Sequence, residues 1–250
     1  MKTIFRNIGI LALACFSFLV TDETITVVKE SDNLMVEIKE KAKDYYVEGV
    51  NGTINDKYIK LGYDGLEIDT LKSYDQMKKI GYFNENMLVY KHTKPTISIA
   101  NNKNKIINAN SKNEVALIFK NPNGIDKIIK ILKKNNLNAS FLITKEYYLN
   151  NFESIEDAIS LNNNIIIIDE EVFFRKELNN DYFCYSSLDK CSKYIIEESL
   201  KVNNFFELKQ ELKKGNIILI SNCNYLDIYL KYILSKGINV VNLKTFISET

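Results

Sequence analysis

The second half of the chain alternates short apolar runs with amphipathic segments. Residues 115–119 and 165–168 are apolar at every position, which is typical of strands buried on both faces. Apolar residues at helical spacing separate such runs, most clearly over 125–134. Strand–helix alternation of this kind predicts a parallel sheet or barrel. We count about seven strands, fewer than the eight of the standard barrel, and therefore expect an α/β fold with a reduced or distorted (β/α) barrel.

The first half has a mixed pattern. Residues 34–45 carry apolar side chains at helical spacing, and 71–78 predict a second helix. Glycines punctuate residues 49–65, which predicts a loop-rich stretch. Together these features are typical of a small α+β region.

The N-terminus has the layout of an export signal. Lys2 and Arg6 precede the apolar run 8–20, and acidic residues follow it. Cleavage after the Ala-Leu-Ala of 12–14, lipoprotein processing at Cys15 and an uncleaved membrane anchor are all open, and we favour the anchor. Basic residues stay cytoplasmic, so the rest of the chain is expected outside the cytoplasm.

These patterns divide the chain into three parts. Residues 101–113 are rich in Asn, Lys and Ser and poor in apolar residues, which favours a domain boundary there. We expect a signal peptide or signal anchor over 1–21, a small α+β leading domain over 22–108, and the barrel domain over 109–250.

Charge and histidine content exclude two classes of function. Lys and Arg total 33 against 32 Asp and Glu, so the net charge is +1. That balance lacks the basic excess of broad nucleic-acid binders, and we expect no nucleic-acid partner. The single histidine, His92, cannot form a metal site that needs two or three imidazoles. We therefore expect no cofactor.

Three cysteines follow the export segment. Cys184, Cys191 and Cys223 fit no common zinc-binding spacing. Small buried apolar residues are the favoured interpretation. A disulfide between Cys184 and Cys191 stays open, because sequence spacing does not determine pairing.

Four segments of the second domain follow one another in a recognisable order. They are the strand 114–119, the helix and strand of 125–143, the strand 214–221, and the closing helix and strand of 226–243. In order and spacing this domain resembles the polysaccharide deacetylases, metal-dependent enzymes that remove acetyl groups from envelope glycans. The resemblance implies a barrel of the polysaccharide deacetylase type and a partner such as peptidoglycan or another envelope glycan.

The leading region resembles one branch of that family. Its segments 50–57, 62–69, 73–78 and 83–89 look like the part that precedes the barrel in sporulation-associated, membrane-anchored members. This resemblance implies an extracytoplasmic protein that is held at the membrane by its N-terminal segment.

The chemistry of the family does not carry over. Active members use an Asp-His-His metal site, an Asp general base and a His general acid. Lys120 and Asn121 stand where the acidic pair should follow the first strand, and no His occurs near 168–173 for the metal pair. Ser221 replaces the general-acid His, and Asn222 stands where an Asp is usual.

We therefore expect neither catalytic residues nor metal ligands. Asp169 and Glu170 follow a predicted buried strand, where carboxylates can act in acid–base chemistry or bind calcium, but acids favoured at a helix N-terminus are the preferred interpretation. The positional equivalents of the family site, expected to line any cleft, are Lys120, Asn121, Asp169, Glu170, Ser221 and Asn222.

The sequence thus predicts a divergent deacetylase-like envelope or sporulation protein without metal-dependent hydrolysis. Glycan binding and a structural, partner-binding role are both consistent with it. The alternative is an active deacetylase of N-acetylated glycans that uses non-standard ligands.

Overall fold

The computed structural model describes residues 32–168, 183–185 and 194–250. Within them the α-helices are α1 (Asn33–Ala42), α2 (Thr70–Met77), α3 (Ile125–Lys134), α4 (Lys145–Asn150), α5 (Phe152–Ser160), α6 (Phe205–Glu211), α7 (Leu226–Ser235) and α8 (Leu243–Phe246). The strands are β1 (Thr53–Asn55), β2 (Tyr58–Leu61), β3 (Gly65–Ile68), β4 (Tyr90–Thr93), β5 (Ile106–Asn110), β6 (Glu114–Lys120), β7 (Ser140–Ile143), β8 (Asn164–Ile167), β9 (Phe183–Tyr185), β10 (Tyr194–Ile196), β11 (Leu200–Val202), β12 (Ile217–Ile220) and β13 (Asn239–Val241).

The described residues form two compact units. The first contains 32–48 and 65–93, and the second contains 49–64 and the described residues from 94 onward. The chain therefore passes between the units three times.

The described residues of the first unit form two α-helices and a two-stranded antiparallel sheet, whose strands are separated in sequence by α2. Strands β3 and β4 pair antiparallel, and α1 and α2 enclose an apolar core that includes Met35, Ile38 and Met77. The Asp32 carboxylate caps α1 by accepting the Leu34 N–H, and it also accepts a 2.8 Å hydrogen bond from the Tyr74 hydroxyl. This one side chain thus starts the first helix and ties it to the second.

A six-stranded parallel sheet is the centre of the second unit. Its strand order is β11-β12-β6-β7-β8, and β13 pairs with the first residues of β6. Val115, Leu117 and Phe119 of β6 pack in one apolar core with the helices, while Ala116 and Ile118 pack in a second core. Both faces of β6 are buried, which explains why its sequence is apolar at consecutive positions.

A second sheet includes three strands that the sequence pattern does not reveal, namely β1, β2 and β5. Its order is β1-β2-β5-β10-β9, with β1 antiparallel to β2 and the other pairs parallel. The stretch 49–65, predicted as loop-rich, contributes β1 and β2, and β5 lies inside the polar stretch 101–113. Ile59, Leu61, Ile106 and Ile107 are buried there, and this burial stabilises short strands among polar neighbours.

The expected fold class is confirmed as an α/β fold with parallel sheets. The described strands of the second unit are divided between two sheets, so this part of the architecture departs from a regular closed barrel. The predicted boundary at 108/109 falls within β5, whereas the compact units divide near 48, 64 and 93. The difference arises because β2 pairs with β5, although the two strands are far apart in sequence.

The predicted N-terminal membrane segment is not tested by the described residues. The predicted signal or anchor over 1–21 lies outside the described residues, and no helix within them is long and apolar enough to cross a membrane.

Cys184 is disulfide-bonded, and its partner is not among the described residues. Cys223 is a free thiol whose pKa is raised by burial.

Candidate functional site

The carboxyl ends of β6 and β12 bring four of the predicted site residues to one edge of the sheet. The two strands pair in parallel with Leu219 beside Ile118. Two residues further along this register, Ser221 lies level with Lys120. Asn121 and Asn222 follow directly, so the positions that the family resemblance picks out are neighbours in the fold.

The Asn121 side chain has a structural role. Its backbone is left-handed, with φ of 39°, a conformation that Asn tolerates better than most residues. Its N–H donates to the Leu142 carbonyl at 2.9 Å, and its Oδ1 accepts the Thr144 N–H at 3.0 Å. The oxygen that could have faced a ligand thus holds the turn that follows β7.

The Asn222 side chain also binds local backbone, whereas the Ser221 side chain is exposed. Asn222 Oδ1 accepts the Asn224 N–H at 3.1 Å and caps the short 3₁₀ turn 223–225. Ser221 donates its N–H to the Val202 carbonyl at 2.9 Å, which continues the β11–β12 pairing, and its side chain is exposed.

Lys120 contacts an aromatic ring that sequence reasoning did not assign to the site. Its Nζ lies 5.4 Å from the centroid of the Tyr185 ring, within the range of a cation–π interaction. The Tyr185 hydroxyl in turn donates a hydrogen bond to the Glu198 carboxylate. Burial, followed by this hydrogen bond, raises the pKa of Tyr185, so the phenol stays protonated. The only sequence signal was that Tyr185 ends a short strand, which the sequence pattern predicts over 182–185.

These residues do not fit the divalent cation that the family uses. An ammonium group repels a metal ion, and the two carboxamide oxygens already accept backbone hydrogen bonds. Asp169 and Glu170 lie outside the described residues. Within the parts of the chain that the structure describes, no group of three or more His, Cys, Asp or Glu side chains could hold a metal ion.

Comparisons with known proteins agree with this architecture. No protein-family model matches the chain. The uncharacterized protein YlxY of Bacillus subtilis (strain 168) is 29% identical over 137 residues, which are 52% of this chain and 43% of that protein. The match therefore spans less than half the length of this curated relative.

Solved structures extend the comparison over most of the chain. BA3943 of Bacillus anthracis, described as a CE4 family pseudoenzyme, superposes with a TM-score of 0.61 at 18% identity over 88% of this chain and 96% of BA3943. The chain shares the fold of BA3943. A BA3943 mutant described as having restored enzymatic activity gives a TM-score of 0.59 at 18% identity, over 87% of this chain and 99% of the mutant.

The CE4 fold places the site residues in context. The predicted resemblance to a degenerate polysaccharide deacetylase is confirmed at the level of the fold, and β6 and β12 end at the positions the resemblance assigned. The six positional equivalents stay a prediction as the lining of a cleft, because the contacts above describe four of them individually.

Proposed function

We propose that this chain is a non-hydrolytic, deacetylase-like protein of the cell envelope that binds glycan at the carboxyl edge of its parallel sheet. The observation that carries the proposal is the replacement of metal-binding chemistry at the ends of β6 and β12. Lys120 faces the Tyr185 ring, while Asn121 and Asn222 hold local backbone.

The bonded state of Cys184 supports an extracytoplasmic location. Disulfides persist in oxidising compartments and are rare in the cytosol. The basic and apolar N-terminal segment would supply export and, as an uncleaved anchor, attachment to the membrane. Peptidoglycan or another envelope glycan is the proposed partner, and a role in sporulation follows from the resemblance of the leading region.

Three measurements on the purified full-length chain test the proposal. The zinc content after dialysis against a zinc buffer is expected to be far below one ion per chain, and acetylated peptidoglycan is expected to release no acetate. The chain is nevertheless expected to sediment with insoluble peptidoglycan. Stoichiometric zinc together with acetate release would instead establish the alternative, an active deacetylase with non-standard ligands.

The sedimentation experiment also separates glycan binding from a purely structural role. A K120A/Y185A double variant removes the ammonium and the aromatic ring at the strand ends. We expect it to remain in the supernatant while K201A, on an exposed position of β11, still sediments. If the wild-type chain itself stays in the supernatant, glycan binding is excluded and a partner protein is the role left to test.

A further inference from the structure

A polar pocket lies at the opposite edge of the six-stranded sheet. Two turns line it, the one from α3 into β7 and the one from α5 into β8, and its volume is about 290 Å³. This is near the small end of ligand pockets, which span roughly 300–1,000 Å³. Both turns precede the first residues of their strands, so the pocket is remote from Lys120 and Ser221.

Four carboxamides line the pocket, and two of them build its frame. Asn163 accepts the Ala139 N–H at 2.9 Å and donates to the Ala158 carbonyl at 3.0 Å, and it is buried. Asn138 donates from Nδ2 to the Leu161 carbonyl of the other turn. These side chains cross-link the two turns, so the pocket is preformed.

The other two carboxamides have free hydrogen-bonding capacity. Asn136 and Asn162 occupy equivalent positions in the two turns, both with left-handed backbones, φ 52° and 59°. Both residues are exposed, and within the described residues neither side-chain carboxamide has a hydrogen-bond partner. Each amide offers donors and an acceptor, which together match the hydroxyl groups of a polyol.

The charge and the apolar surface of the lining residues indicate the chemical class of the ligand. Lys133 is an exposed residue that lines the pocket, and the lining residues include no carboxylate. Leu137 and Leu161 add apolar surface between the polar groups. We propose that this pocket binds a small acidic sugar, with its hydroxyls on Asn136 and Asn162 and its carboxylate on Lys133. The proposal does not rest on the glycan-binding function assigned to the carboxyl edge.

The test uses the ¹⁵N-labelled full-length chain and two probes, N-acetylmuramate and the neutral N-acetylglucosamine. The pocket variant is N136G/N162G, because glycine keeps the left-handed turns and removes only the amides. D56G is the matched control, since Asp56 is also left-handed, with φ 52°, but lies in the β1–β2 turn. K133M removes the charge.

We expect saturable NMR shifts of the 136–138 and 161–163 signals with N-acetylmuramate, unchanged in D56G. Affinity should fall about 10-fold or more in N136G/N162G, because two hydrogen-bonding side chains are lost. K133M should weaken N-acetylmuramate binding to the level of N-acetylglucosamine. Absence of saturable shifts at the pocket would overturn the proposal, and so would equal affinity of the wild-type chain for the two sugars.

Glycan binding by the chain as a whole is a separate measurement. If N136G/N162G still sediments with peptidoglycan and K120A/Y185A does not, the proposed function of the carboxyl edge is supported. The NMR shifts at residues 136–138 and 161–163 then test the pocket independently.

Discussion

Lys94 Nζ lies 2.7 Å from Oδ2 of Asp64, at the two points where the chain re-enters and leaves the second unit. The Asp64 side chain is fully buried, and within the described residues its Oδ1 has no hydrogen-bond partner. A buried carboxylate with an unsatisfied oxygen depends strongly on its counter-ion.

The K94M substitution should therefore destabilise the second unit. We expect a loss of about 1–3 kcal/mol in the free energy of unfolding, because the Asp64 charge is left buried and unpaired while Lys94 itself is largely exposed. K91M is the matched control, since Lys91 pairs with Glu67 at 3.1 Å between partly exposed side chains and should cost less than about 1 kcal/mol. Urea unfolding measures both, and equal losses would contradict the role of burial.

Glu249 should make the stability depend on pH. Burial raises its pKa above the ordinary value of 4.5, although its carboxylate accepts the Ile99 N–H at 3.0 Å. Because the folded-state pKa is the higher one, the stabilising contribution is fully present below pH 4.5 and is lost as the pH rises through the folded value. E249Q should flatten this decline relative to wild type, because an amide does not titrate. Its oxygen can still accept the hydrogen bond from the Ile99 N–H.

Thermal unfolding from pH 4 to 8 measures the effect of E249Q. E153Q removes one negative charge from an exposed position and controls for net charge. Parallel pH curves for wild type and E249Q would show that Glu249 does not titrate differently in the two states.

Gly215 should tolerate no side chain. Its φ is 82°, and a Cβ there would lie 1.9 Å from the Asn110 carbonyl oxygen. G215A should cost about 2–5 kcal/mol, the sum of a left-handed backbone penalty and an overlap with backbone. G237A has a similar φ of 69° but open space around it, and should cost only about 1–2 kcal/mol. Similar urea midpoints for the two variants would exclude the close approach to Asn110.

Asn121 should prove to be structural. N121A loses the acceptor for the Thr144 N–H and places alanine at positive φ, so we expect a loss of about 1–3 kcal/mol. N121D keeps the acceptor and should remain within about 0.5 kcal/mol of wild type. Chemical unfolding compares the two, and a harmless N121A would refute the structural role.

The periodicity of apolar residues predicted those helices and strands whose burial is visible in a short stretch of sequence. The helix at 125–134 was predicted with the observed bounds, because its apolar residues recur on one face, and β6 was predicted from its consecutive apolar positions. The strands β1, β2 and β5 were missed because pairing between distant segments stabilises them. Pairing of this kind leaves no periodic signal in a short polar stretch.

The positions of the candidate site residues in the fold were more predictable than their contacts. The resemblance assigned Lys120 and Ser221 to the ends of two recognisable strands, and the structure has Lys120 as the last residue of β6 and Ser221 directly after β12. The approach of Lys120 to Tyr185 joins two different sheets, and no spacing rule encodes it. The Glu198 contact depends on the parallel pairing of β9 with β10, which is likewise invisible in sequence.

The threefold passage of the chain between its units has a practical consequence for anyone who dissects the protein. No single cleavage can separate two intact pieces, since each unit is assembled from two stretches of sequence. A fragment that begins at residue 109 would lack β1, β2 and most of β5, and β10 would become an open sheet edge. Such a fragment would be prone to aggregate, so its insolubility would say nothing about the fold of the whole chain.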